Sequence, residues 1–197
     1  FFSIYPTTMA KPEPNRQQLD RAAWTRAALD ILAEKGLDGI RVEVLAKRLK
    51  VTKGSFYWHF KDRRDLLDAV LETWKDGRIR DIQKQTRAVP GEELPRAYHV
   101  IEVYSANRNR KGMLIEIAMR DWARRDALAA TVVEEVDAAR LDFGRKGFEA
   151  RGMPPLEASS RSLLLYAYVF GLSLMSCGRF DADMDEMKRW IADRIAR

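Results

Sequence analysis

Eleven consecutive residues, Val51-Thr52-Lys53-Gly54-Ser55-Phe56-Tyr57-Trp58-His59-Phe60-Lys61, interleave cations, hydroxyls and large aromatic rings. They follow a short amphipathic segment, Val42 to Leu49, after a one-residue turn at Lys50. Phe56 and Phe60 stand four apart, on one side of a helix, and read as inward knobs. A core has no need of Lys53, Ser55, Tyr57 and His59 set among them. A surface that grips phosphates and touches base edges does. Two short helices joined this closely constrain the region to a helix-turn-helix, with the second helix lying in a DNA major groove.

The charge distribution agrees. The chain of 197 residues carries a formal net charge of +6. Between Arg41 and Arg64 lie Arg41, Lys47, Arg48, Lys50, Lys53, Lys61, Arg63 and Arg64, against Glu43 and Asp62, so the whole excess falls in this stretch. That concentration is the footprint expected for a polyanionic partner. A single cysteine, Cys177, excludes an internal disulfide framework. The longest apolar stretch, Leu163 to Cys177, is too short and too polar to span a bilayer. A cytoplasmic chain with no membrane partner is therefore expected.

Nearly everything reads as helix, and no alternating strand pattern appears. A first helix over 17–35 carries the stripe Ala23, Trp24, Ala27, Ala28, Ile31 and Leu32, and Gly36 ends it. The second is Val42 to Leu49. The third starts at Thr52 as N-cap and continues to about Phe60. A fourth, capped near Asp62, carries Leu66, Leu67, Val70, Leu71 and Trp74 and runs past Ile82. After the break at Val89-Pro90-Gly91, helices are expected over 94–108, 113–125, 128–150, 156–177 and 184–196. The fold class is thus all-α: an N-terminal three-helix unit at 16–62, then a connecting helix and larger bundle at 63–197, about nine helices in all. Residues 1–15 show no periodicity and read as a disordered arm, or as residues upstream of a start at Met9.

The first residues of a recognition helix meet base edges, here Thr52, Lys53, Gly54 and Ser55. Lys53 can donate to guanine, Gly54 lets the backbone come close, and Ser55 suits phosphate or base. Tyr57 and His59 point sideways toward phosphate oxygens. Trp58 either covers a phosphate–sugar edge or packs on the surface. Arg41, Lys61 and Arg63 add cations within reach of the backbone.

With these residues in place, the segment from about Gln17 to Trp74 resembles the N-terminal domain of TetR-family transcriptional regulators. The matching positions are Gly36, Val42, Leu45-Ala46, the run Val51 to Phe60, and Leu66-Leu67. The resemblance implies a homodimer on a palindrome-like operator in double-stranded DNA, with contacts at Lys53, Ser55, Tyr57 and His59. Three positions depart from the family pattern. Lys50 replaces a turn glycine, at about 1–2 kcal/mol if left-handed. Arg41 stands where a capping Thr is common, and Arg63 replaces a Lys.

By the same resemblance, the last two helices pair with a second subunit. Leu164, Tyr168, Gly171, Leu172, Met175, Met187, Trp190 and Ile191 are the candidates, and 163–175 is apolar on nearly every side. A small-molecule effector is expected among the middle helices, near Tyr98, Glu102, Met113, Trp122, Tyr166 and Phe170. Trp122 is expected to pack inward, with neighbouring Arg120 and Asp121 pairing at the rim. No cofactor or metal is expected: His99 and Glu102 are spaced as ligands could be, but the other histidine, His59, belongs to the DNA motif. No nucleophile elbow or phosphate loop is present, which argues against an enzyme. The expected function is a sequence-specific DNA-binding regulator, a repressor released from its operator by an effector. The alternative is a ligand-binding or scaffolding helical protein with a vestigial DNA motif.

Overall fold

The computed structural model describes residues 20–86, 110–177, 179–180 and 183–196. Among them are eight α-helices, one short 3-10 turn and no strand. The helix read over 94–108 and the residues Tyr98, His99 and Glu102 lie outside the described residues, as does the N-terminal arm.

Asp20 begins α1 (Arg21–Lys35) by accepting the Ala23 amide at 2.7 Å, which satisfies one orphan donor of the first turn. Gly36 ends it at φ +70°, a conformation that favours glycine. The 3-10 turn Leu37–Gly39 leads into α2 (Val42–Leu49). Arg41 takes the N-cap position of α2 without a side-chain cap.

The turn into α3 (Lys53–Tyr57) rests on Lys50, which is left-handed at φ 57°, ψ 40°. There the Val51 amide reaches the Ala46 carbonyl at 3.0 Å. Lysine adopts this conformation against the clash of its Cβ, so Lys50→Gly is expected to raise folding stability by about 1 kcal/mol. Thermal denaturation checks this, and a lower melting temperature would show that the Lys50 side chain contributes more than its backbone costs.

Two expectations for α3 need correction. Thr52 sits at the N-cap in extended conformation, but its hydroxyl makes no capping bond. The Ser55 amide goes instead to the Thr52 carbonyl at 3.1 Å, so the hydroxyl has no donor to accept and stays exposed. The helix also closes at Tyr57, although Phe60 N–H still reaches Phe56 O at 3.0 Å and carries the turn onward. Next, α4 (Arg63–Thr86) opens on a reciprocal cap. The Asp65 amide donates to Asp62 Oδ1 at 2.9 Å and the Lys61 amide to Asp65 Oδ2 at 3.0 Å. It then runs unbroken through Ile82, as its sequence pattern suggests.

The remaining elements are α5 (Arg110–Ala123), α6 (Ala127–Glu149), α7 (Pro155–Leu174) and α8 (Met184–Ala196). One hydrophobic core begins with Trp24, Ile31, Leu45, Phe56 and Phe60. It continues through Leu66, Leu67, Val70 and Trp74 of α4 to Met119, Trp122, Val132 and Val136. The DNA-motif helices and the bundle are therefore welded by shared apolar burial through α1 and α4. A second, smaller core of Phe148, Ala158, Leu165, Val169, Ala192 and Ile195 joins the end of α6 to α7 and α8. Helices α6 and α7 approach closely at Gly144, where a Cβ would come within 3.2 Å of Ser162 Cβ. Gly171, the glycine singled out from the sequence for helix approach, faces open space in the single chain.

Candidate nucleic-acid interface

The recognition helix is held from one side only. Phe56 and Phe60 are buried and stack at 5.3 Å, and Phe56 also meets the Trp24 ring edge-on at 5.4 Å. Arg21 of α1 locks the end of α3: its guanidinium lies 4.2 Å over the Phe60 ring, donates to the His59 carbonyl and pairs with Asp65 at 2.6 Å. That guanidinium, with the Lys61 amide, holds the Asp65 carboxyl below its usual range. With five residues, α3 has little stability of its own, so these contacts set its orientation.

The opposite side faces solvent. Thr52, Lys53, Gly54, Tyr57 and Lys61 are exposed, while Ser55 and His59 are half-buried. Tyr57 is 63% exposed, its ring edge resting on Phe56 at 5.2 Å. Trp58 is 87% exposed, which removes the packing option at that position, since a ring so bare contributes little to the fold. A polar and aromatic face with an apolar back is the arrangement that lets a helix enter a groove without losing its seat.

The cations divide by partner. Arg63, counted from sequence among the DNA grips, is exposed and also serves as a structural tie. Its Nε and Nη2 donate to the Ile40 and Leu37 carbonyls at 2.7 and 3.0 Å, pinning the turn before α2 to the first turn of α4. Arg48 makes a bidentate pair with Glu34 at 2.8 and 2.7 Å. Arg64 pairs with Asp68 at 2.7 Å and with Asp126 at 2.5 Å. Arg41 donates through Nε to the Asp38 carbonyl at 3.0 Å and is otherwise exposed. Lys53 meets Glu43 of α2 at 2.7 Å, and this ammonium holds the Glu43 carboxyl low. The local excess of +6 therefore overstates the charge free to face a phosphate backbone, because Glu34, Asp68 and Asp126 lie outside the counted stretch.

The expected effector residues do not all share one place. Trp122 is fully buried in the main core and lines a cleft of about 390 Å³ with Leu37, Leu67, Arg63, Arg64, Arg125 and Asp126. It therefore belongs to the junction with the DNA-motif helices. Tyr166 is buried on α7, and Met113 and Phe170 are half-buried. Phe170 lies beneath two guanidiniums, Arg120 at 4.5 Å and Arg140 at 5.4 Å. The rim pair expected between Arg120 and Asp121 does not form. Arg120 turns to Asp137 at 2.7 Å and Glu116 at 3.0 Å, while Asp121 pairs with Arg125 on the next turn. Glu116 and Arg140, absent from the sequence-derived site, are 3% and 2% exposed and form a bidentate pair at 2.8 and 2.9 Å. Their helical spacing gave no sign of it, since the partners are 24 residues apart.

Of the expected dimer residues, Leu164, Met175 and Trp190 are strongly exposed. Tyr168 and Ile191 rest partly on the second core, and Gly171, Leu172 and Met187 are half-buried. Leu163 and Leu174, within the stretch read as apolar on nearly every side, are also exposed, as are Leu156 and Phe180, which the sequence reading did not single out. Among the described residues, no group of three or more His, Cys, Asp or Glu side chains could hold a metal ion. None of the described helices is long and apolar enough to cross a membrane.

An all-α chain with an exposed, laterally anchored second helix defines a helix-turn-helix protein. The family model of bacterial regulatory proteins, tetR family, matches residues 25–70. The N-terminal unit is thus similar to that of TetR-family regulators. It is 53% identical over 128 residues to tetracycline repressor protein class A from transposon 1721 of Escherichia coli, covering 64% of this chain and 54% of that repressor. The chain thus spans about half the length of that curated relative. The fold matches a transcriptional regulator from Rhodococcus sp. Rha1 at a TM-score of 0.68, with 21% identity over 90% of this chain and 94% of the other. It also matches the multidrug binding protein EbrR, solved with malachite green, at a TM-score of 0.62, with 20% identity over 93% and 99% of the two chains.

Proposed function

We propose that this protein is a sequence-specific DNA-binding transcriptional regulator, acting as a homodimeric repressor in the cytoplasm and released from its operator by a small molecule. The observation that carries the reading is the outward face of α3, with Lys53, Tyr57 and Trp58 bare while Phe56 and Phe60 are buried behind them. Lys53 and Ser55 are the base-facing residues. Tyr57, His59, Lys61, Arg41 and Arg63 grip phosphates, and Arg63 also holds the turn that leads into Arg41. The likeness of the motif to a tetracycline repressor supports the repressor assignment, and the apolar residues exposed on α7 and α8 support pairing with a second copy. In such a dimer the two recognition helices must lie about 34–36 Å apart to enter successive major grooves. Since α4 shares a core with both the motif and the bundle, a ligand that moves α4 changes that separation.

Titration of duplex DNA across a salt series tests the reading. Each phosphate contact contributes about −0.9 to the slope of log K against log salt, so a dimer gripping through these side chains is expected to show a slope on the order of −5 or steeper, with two chains per operator. Tyr57→Ala and His59→Ala weaken binding to all sequences, whereas Lys53→Ala also relaxes base preference. A flat salt response would leave the motif vestigial.

A further inference from the structure

The acidic residues of the basic stretch 41–64 are Glu43 and Asp62. Asp62 caps α4. Glu43 lies in the first turn of α2, on the side that meets α3, and places its carboxylate 2.7 Å from the ammonium of Lys53, the first residue of α3. The two side chains are 59% and 60% exposed, so the pair is formed at the open surface where α3 is to meet DNA. A carboxylate in that position repels the phosphate backbone, and an exposed ion pair adds little to folding. Its chemistry fits a base pair better than it fits either role.

We propose that Glu43 and Lys53 act as one composite reader that selects a G·C base pair in the major groove. This rests on the DNA-binding reading above. A lysine ammonium has three donors. Giving one to Glu43 leaves two for the adjacent N7 and O6 acceptors of guanine, and the Glu43 carboxylate keeps acceptor capacity for the N4 amino group of the paired cytosine. Donor, donor, acceptor on the protein thus meets acceptor, acceptor, donor on one base pair. At A·T the outer group is the thymine O4 with its methyl neighbour, which offers a carboxylate no donor. Lys53 by itself would favour guanine; Glu43 adds the cytosine half and fixes the ammonium in direction. Sequence reading placed Lys53 on the recognition helix but gave Glu43 no part, because it belongs to the preceding helix.

The test is selection of the full chain on a randomised duplex library, followed by binding constants for each base at the selected positions. Wild type is expected to enrich G·C at one position of each half-site. Glu43→Ala is expected to lose about tenfold of that discrimination, with non-specific affinity unchanged or raised. Lys53→Ala should remove the guanine preference as well, and the two losses should not add in the double variant, since the two side chains act on one base pair. Equal strengthening of every sequence by Glu43→Ala, with the G·C preference intact, overturns the proposal and leaves Glu43 a mere electrostatic brake. Salt-dependent binding that enriches no G·C position overturns it too. If wild type binds no duplex at any salt, the DNA-binding reading itself fails.

Discussion

Phe56→Ala is expected to cost about 3–5 kcal/mol of folding stability and to remove DNA binding even where the rest of the molecule stays folded. Phe56 is fully buried, stacked on Phe60 and met edge-on by Trp24. Removing the ring deletes its contacts with Trp24, Tyr57 and Phe60 and opens a cavity beneath a helix of five residues, which cannot hold its place without them. Denaturant unfolding measures the loss, and duplex binding measured well below the midpoint separates the two consequences. A variant that loses less than about 1 kcal/mol would mean that the site collapses around the gap. Tight operator binding by that variant would mean that α3 is seated by contacts other than its aromatic knobs.

A second large effect lies in the bundle. Arg140→Met is expected to destabilise the protein by about 3 kcal/mol, because the buried Glu116 carboxylate loses its bidentate partner. Arg120 stays near at 3.0 Å but is already shared with Asp137. Glu116→Leu combined with Arg140→Met removes both charges together and should recover most of the loss, since buried ion pairs seldom outweigh their own desolvation. Chemical denaturation of the two single variants and the double completes the cycle. A double variant no more stable than Arg140→Met would show that the cluster holds the helices by more than mutual neutralisation. Because Phe170 lies beneath the same guanidiniums, the cluster also fixes how α5, α6 and α7 meet.

The helices were largely legible in the sequence. Apolar spacing located α1, α2 and the run of α4 past Ile82, and the Phe56–Phe60 pair told inside from outside on α3. Lys50 could be marked as a strained turn because the family it resembles usually has glycine there, and it is left-handed at φ 57°. What escaped was pairing between distant elements. Arg63 looked like a phosphate grip and also holds carbonyls of the turn before α2; Arg120 looked paired with Asp121 and instead meets Asp137 and Glu116. Each depends on what another helix presents several ångströms away, which spacing along one helix does not encode.

By itself the sequence determined the all-α class, the helix-turn-helix and the side of α3 that turns outward, because helical periodicity and local turn geometry are properties of neighbouring residues. The tertiary structure alone decided which cations remain free, that Glu43 meets Lys53, that Glu116 and Arg140 are sealed together, and that one core joins motif to bundle. Those outcomes depend on the crossing of helices that lie far apart in the chain. Burial and charge neutralisation are settled only where their surfaces meet.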